Sequence, residues 1–295
     1  MELLKTKIVH LSRCRSITRQ LLRNILQHDP SLNKTYQSSA NQLSGWLNIS
    51  LKKAEYFYSD LHNVALQKQV IKDMQLYQTV TIVDEYYPPM LNTIKDAPIV
   101  LYTIGDVGIL KKLPSLSVIG TRKPTSQARR KMDVILPLLI QRGWVIVSGM
   151  ARGIDSFAHQ MALYQNGKTI AVLGGGFHHI YPREHLPLFR EITQKGLVIT
   201  EYPPDQPPKR HQFPERNRII SGLTMGTLVI EAMERSGTLI TVEQALDQGR
   251  EVFAVPGNPW VQQTKGCHQM IQDGAKLVQE SKDIIQEYEG ILLEN

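Results

Sequence analysis

Val145-Ile-Val-Ser-Gly-Met-Ala-Arg-Gly-Ile-Asp-Ser-Phe-Ala-His159 is the stretch whose reading decides the fold. Trp144 to Val147 is a short apolar, β-branched run, the composition of a buried strand. Ser148-Gly149 breaks it, and Ala151 onward reads as a helix with Ile154, Ala158 and Met161 on one face. A strand that stops at a small-residue turn and re-enters a helix aims backbone N–H groups outward, where they favour an anion. Arg152 and Gly153 fall in that first turn, so a fixed cation stands beside the helix dipole. The same turn also reads as an ordinary connection in which Arg152 pairs with a carboxylate, and the turn alone does not separate the two.

Outward from this unit the alternation repeats. Leu116–Ile119, Thr169–Leu173, Leu197–Thr200, Thr227–Ile230 and Val252–Val255 read as strands. Between them Ser126–Arg142, Ala151–Gln165, Glu184–Lys195, Arg216–Met225 and Thr238–Gln248 read as helices, the first with an awkward Pro137 that should kink it. Near-continuous apolar strands spaced by helices mean a parallel sheet covered on both faces, an α/β doubly wound, Rossmann-like class. Residues 1–74 read as a small all-helical domain, with Ile17, Leu21, Leu22, Ile25 and Leu26 at helical spacing and Ser50 as an N-cap. Its Arg15, Arg19 and Arg23 lie off that apolar face, as in a module that binds a DNA backbone or as in a packing domain with solvated charges. Residues 75–117 are too apolar for a flexible linker and are expected to pack on the edge of the sheet domain, which runs over 75–290.

The 295 residues carry a net charge of +7, with 42% hydrophobic residues, a modest bias toward polyanionic partners. No run approaches the roughly 20 apolar residues of a membrane span, so no membrane association is expected. The first residues lack a clean apolar core, so no signal peptide is expected. Cys14 and Cys267 are therefore read as free thiols in a reducing cytoplasm.

Every strand of the expected sheet ends on one rim in small or polar residues. They are Gly120-Thr121-Arg122, Ser148-Gly149, Gly174-Gly175-Gly176, Glu201-Tyr202, Glu231 and Pro256-Gly257. Ligands of such sheets bind outside the carboxyl ends of the strands. The Gly-x-Gly-x-x-Gly dinucleotide pattern is missing at the first turn, so no nicotinamide or flavin is implied. The histidines are dispersed, with His178 and His179 adjacent rather than one helical turn apart, so no metal is expected. The most informative rim segment is Phe213-Pro-Glu-Arg-Asn-Arg-Ile-Ile220, preceded by Lys209, Arg210 and His211. Arginine suits phosphate because its planar fork grips bidentately and also stacks on bases. One of Arg216 and Arg218 is expected instead to pair with Glu201, Glu215 or Glu231, because rim carboxylates need partners.

At these residues the chain resembles the DprA/Smf (DNA-processing protein A) family. The matching motifs are Val118-Ile-Gly-Thr-Arg122, Val147 to His159, Ala171 to Gly176 with Ile180-Tyr-Pro182, Phe213 to Ile220, Ser236-Gly-Thr-Leu-Ile-Thr241 and Val252 to Gly257, in the family's order. The resemblance implies an extended Rossmann-like domain behind a small helical one. It implies a homodimer that binds single-stranded DNA in a basic rim pocket and helps load a RecA-type recombinase during natural transformation. No cofactor and no catalytic residue are implied. Carried over by motif, Gly120, Arg122, Gly149, Arg152, Lys209, Arg216 and Arg218 are the phosphate-contact candidates. Thr121, Lys123, Ser148, Gly153, Gly175, Arg210 and Asn217 complete the expected DNA-binding set, with Phe213 as the stacking candidate. Met270, Ile271 and Leu277 are the dimer candidates, in late helices expected over about 268–288. The chain departs from the family at Gly176-Phe-His-His-Ile180 and at His268, and no C-terminal winged helix is expected after Leu277. The alternative is a nucleotide-binding enzyme of the phosphoribohydrolase-like kind on the same fold, with Glu231 and Ser236-Gly237-Thr238 holding a ribose and a phosphate.

Overall fold

Each apolar run that stops at the rim is a strand. In chain order the strands are β1 (Gln78–Thr81), β2 (Val100–Gly105), β3 (Ser115–Ile119), β4 (Val145–Ser148), β5 (Thr169–Leu173), β6 (Leu197–Thr200), β7 (Gly226–Val229), β8 (Glu251–Ala254) and β9 (Lys276–Leu277). The computed structural model describes residues 2–292, with side chains as far as Gly290. It divides into two compact units, Met1–Tyr87 with Pro98–Thr103, and Pro88–Ala97 with the chain from Ile104 on.

The first unit holds the helices Glu2–Arg13, Arg19–His28, Asn33–Gln37, Ala40–Leu47, Leu51–Leu61 and Val64–Leu76, with the antiparallel pair β1–β2. Ile8, Val9, Leu11, Ile25, Leu43 and Phe57 form its core and are fully buried. Thr18, Ser39, Ser50 and Asn63 cap their helices by accepting first-turn N–H groups. Ser50 caps a helix that stops at Leu61, and Asn63 starts the next one. Two of the basic side chains here are engaged within the unit: Arg13 pairs with Asp73, and Arg15 pairs with Asp60 at 2.7 Å.

In the second unit the parallel order is β6-β5-β4-β3-β7-β8-β9. Strands β3 to β7 are buried at every residue, as expected of strands covered on both faces. The chain winds from β3 out to β6, then returns to β7 and winds the other way. Right-handed crossovers therefore place the two sets of helices on opposite faces. Helices Ala128–Gln141 and Ile154–Tyr164 share one apolar layer with Ile284, Ile285 and Tyr288 of the last helix. Helices Gln212–Gly222 and Gly237–Asp247 pack against each other. Pro137 sits inside an uninterrupted helix.

Two local readings change. The helix after β4 starts at Ile154, not Ala151, because Met150 and Gly153 take positive φ of 55° and 77° and hold the intervening residues in a loop. The late apolar residues are not one helical surface. The helix Gln262–Gln272 is followed by the short edge strand β9, and Val278, Ile284 and Ile285 are buried in the core of their own unit. Each such aliphatic side chain contributes roughly 1.5–3 kcal/mol by its burial.

Gly153 packs so closely on the β3 turn that a Cβ there would lie 2.4 Å from the Thr121 carbonyl oxygen. Gly153→Ala is expected to cost more than about 1 kcal/mol, from the positive φ and the clash together. Urea denaturation reads this directly; an unchanged midpoint would remove the constraint.

Candidate nucleic-acid interface

The point where the strand order reverses lies between β3 and β7, and a cleft of ≈ 490 Å³ opens there beyond the carboxyl ends of the strands. Its first wall is the loop after β3. Glu231, just past β7 and fully buried, fastens that loop. Its carboxylate accepts from the Thr125 N–H (2.8 Å), the Thr125 hydroxyl (2.6 Å) and the Lys131 ammonium (3.1 Å). Its carbonyl accepts from the Thr121 N–H at 2.8 Å. The loop tip is thereby held while Arg122 and Lys123 stay exposed, and among the described residues neither side chain makes a hydrogen bond or an ion pair.

The second wall is built on a buried cation. Arg216 is only 4% exposed and donates to the carbonyls of Gly149 (2.7 Å) and Val172. Gly149 is required here, since a Cβ would stand 2.5 Å from the guanidinium. Burial pulls the Arg216 pKa down to about 10, so the group remains charged at neutral pH. The buried Asp155 supplies an opposing charge, and its Oδ2 accepts from the N–H groups of Gly149 (3.2 Å) and Ala151 (3.4 Å). Burial raises the Asp155 pKa, and the Arg216 charge opposes that rise. These backbone N–H groups are therefore taken by the protein's own carboxylate.

Below them His159 is fully buried, 2.6 Å from the Thr169 hydroxyl, which itself donates to the Ile146 carbonyl at 2.7 Å. With that hydrogen committed to Ile146, Nδ1 of His159 is the side that donates to the Thr169 oxygen. Desolvation pushes the His159 pKa down to about 3, with the Arg216 charge acting in the same direction.

The structure brings Gly120, Thr121, Arg122, Lys123, Phe213, Arg216 and Asn217 to the cleft. Gly149 and Arg152 line a small recess beside it. Phe213 is half-buried, 5.7 Å from the Tyr181 ring at 56°. The other candidates lie differently. Ser148 is wholly buried, its hydroxyl donating to the Val118 carbonyl at 2.7 Å. Gly175 is buried, and its carbonyl accepts from Thr200 at 2.9 Å. Gly153 caps its helix behind the loop. Arg152 is exposed and pairs with Glu184. Arg218 is buried, its Nη2 donating to both carboxylate oxygens of Glu201 at 2.8 Å and its Nε to Asp96: this is the arginine expected to serve a rim carboxylate. Lys209 and Arg210 are exposed on the loop ahead of helix Gln212–Gly222, outside the cleft lining. Of the dimer candidates, Met270 is buried in its own unit, Ile271 is half-buried, and Leu277 is 46% exposed on the edge strand β9.

Sequence reasoning gave Asp155 no role, and it placed Ser236, Gly237 and Thr238 at a ligand only in the phosphoribohydrolase-like alternative; in the structure these residues, with Thr241, form a wall of the cleft that Asp155 also lines. The signal for Asp155 was present: an acid in the first turn of a helix that follows a glycine.

Residues 78–289 match the family described as DNA recombination-mediator protein A. The DNA processing protein DprA of Bacillus subtilis is 42% identical over 235 residues, covering 79% of this chain and 77% of the relative. The X-ray structure of DNA processing protein A from Streptococcus pneumoniae superposes with a TM-score of 0.85 at 34% identity, covering 96% of this chain and 97% of that one. A Helicobacter pylori DNA processing protein A, whose structure concerns its single-stranded DNA binding mode, gives 0.65 at 28% identity, covering 72% and 95%.

Removing Arg216 leaves Asp155 buried without its opposing charge. Arg216→Ala is expected to cost about 3–5 kcal/mol of stability, read by chemical denaturation, with a loss below about 1 kcal/mol counting against the buried-pair account. His159 gives a pH signature. The unfolded imidazole binds a proton below about 6.5, and the folded one only near about 3. Stability is therefore full above about pH 6.5 and is lost as pH falls through this window, by up to about 1.4 kcal/mol per pH unit. The slope should flatten in His159→Gln, and equal slopes in the two proteins would contradict the burial of a neutral ring.

Proposed function

The chain belongs to the DNA recombination-mediator protein A family, and on that premise we propose that its rim cleft binds single-stranded DNA. The role in DNA processing and recombination follows from the family. The finer reading is that the protein protects incoming DNA in the cytoplasm and, as a homodimer, helps load a RecA-type recombinase onto it during natural transformation.

The observation that carries the reading is the pair Arg122 and Lys123, exposed and unpaired on a loop locked by the buried Glu231. A phosphate arriving there displaces no internal partner and orders no loop, so little affinity goes to reorganisation. The cleft volume of ≈ 490 Å³ matches one drug-sized ligand and so admits a nucleotide unit of an open strand rather than a base-paired stack. Phe213 on the same cleft offers a ring edge or face to a splayed base. The Helicobacter pylori relative supports the choice of single strands. The half-exposed Leu277 on the edge strand β9, whose outer side pairs with no strand among the described residues, supports a second copy as partner, since open edges seek strands. Among the described residues no helix is long and apolar enough to cross a membrane. The phosphoribohydrolase-like reading asked Glu231 to face a ribose, but that carboxylate is turned onto Thr125 and Lys131.

The test is fluorescence anisotropy with labelled single- and double-stranded oligonucleotides over a salt series. We expect a preference for single strands. Arg122→Ala should weaken binding and reduce the salt slope by about 0.7, the value for one neutralised phosphate on a single strand. Binding indifferent to Arg122, with the fold intact, would overturn the placement of DNA in this cleft. Retained protein stability is expected for Arg122→Ala, in contrast to Arg216→Ala.

A further inference from the structure

We infer that the N-terminus of helix Gly237–Asp247 is a second phosphate subsite of the same cleft. The inference rests on the single-stranded DNA reading and adds a second phosphate ester of the bound strand, gripped by neutral donors rather than by arginine or lysine.

The helix runs for 11 residues, and Ser236, Gly237 and Thr238 at its start line the cleft with Thr241 one turn on. The first N–H groups of any helix have no intrahelical acceptor, and the dipole makes that end attractive to an anion. Serine at an N-cap ordinarily closes onto those groups. Ser236 does not: it makes no capping bond, and its buried hydroxyl oxygen has no partner. Thr238 and Thr241 are 9% and 3% exposed, line the cleft, and make no side-chain hydrogen bond among the described residues. Leaving a polar group buried and unpaired costs about 1–3 kcal/mol, so the Ser236 hydroxyl, with the two threonine hydroxyls beside it on the cleft wall, calls for an acceptor at the open helix end. The approach is clear, because a Cβ added at Gly237 would meet nothing within 4 Å.

Backbone N–H groups and hydroxyls together select a ligand rich in lone pairs and negatively charged. A phosphate ester fits, and the cleft already presents Arg122 and Lys123 to such groups. The carboxylate among the lining residues, Asp155, is satisfied by its own backbone donors, and the buried Glu231 by Thr125 and Lys131. Glu234 and Arg235, exposed in the preceding loop, are charges of opposite sign.

The test uses the full chain with two variants. Gly237→Pro removes one donor at the first helical position, where proline is well accommodated. Thr238→Val/Thr241→Val removes both hydroxyls at nearly constant shape. Each is titrated by anisotropy with single-stranded oligonucleotides carrying or lacking a 5′-phosphate, alongside Arg122→Ala, and each is melted without DNA. We expect about ten-fold weaker binding for both variants, as for the loss of a charge-assisted hydrogen bond. The melting point of the threonine pair should be unchanged or raised, since only idle hydroxyls are removed. A weakening seen only with 5′-phosphorylated strands assigns the subsite to a terminal phosphate, and one seen with both assigns it to an internucleotide phosphate. If the wild type binds, Arg122→Ala weakens it, and the threonine pair binds like the wild type, the subsite is overturned while the DNA reading stands. No binding by the wild type overturns that reading itself. A lowered melting point with unchanged affinity would give the threonines a packing role only.

Discussion

A guanidinium with almost no access to water holds the rim together. Arg216 reaches from helix Gln212–Gly222 to the carbonyls at the ends of β4 and β5. Asp155 closes the arrangement from the next helix by collecting the N–H groups of Gly149 and Ala151. Burying a charge is expensive unless it is paired and hydrogen-bonded, and here the carbonyls supply the bonds and the carboxylate supplies the counter-charge. Desolvation still lowers the Arg216 pKa to about 10. The absence of a side chain at Gly149, the left-handed Gly153 and the late start of the following helix all serve this packing.

With the rim fixed from within, the cations divide into two groups. Arg216 and Arg218 are buried and spent on carbonyls and carboxylates, and Arg152 is tied to Glu184 at the surface. Arg122 and Lys123 are held at the tip of a loop whose anchor, Glu231, lies underneath them. The internal carboxylates thus hold the loop and the strand ends in place while leaving these two charges unpaired. A binding surface built this way is preorganised: its donors are in position before the polyanion arrives.

The parallel sheet was legible because β-branched runs such as Thr169–Leu173 and Leu197–Thr200 end at small residues and are separated by helix-length segments. Burial on both faces demands that pattern. Local φ was less legible. Nothing in Met150-Ala151-Arg152 by itself says that the helix waits until Ile154, because the positive φ at Gly153 goes with its close packing against the β3 turn. The edge strand β9 was hidden for a related reason. Two residues carry no periodicity, and Lys276-Leu277 becomes a strand only because β8 offers it a ladder. The apolar residues beyond it were visible, but not that Ile284 and Ile285 fill their own unit's core.

By itself the sequence determined the class of fold, the rim on which the turns gather, and the kinds of side chain available there, because these depend on the order of apolar and small residues along the chain. It did not rank the arginines. Arg122, Arg152, Arg216 and Arg218 are chemically the same group in similar motifs. Only the tertiary structure buries two of them, pairs a third at the surface and leaves Arg122 open. The same holds for the carboxylates: Glu231 read as an acid on the rim and Asp155 drew no reading at all, and folding turns both inward onto backbone and side-chain donors. What a charged group does depends on its solvent and its neighbours, and both are properties of the folded chain.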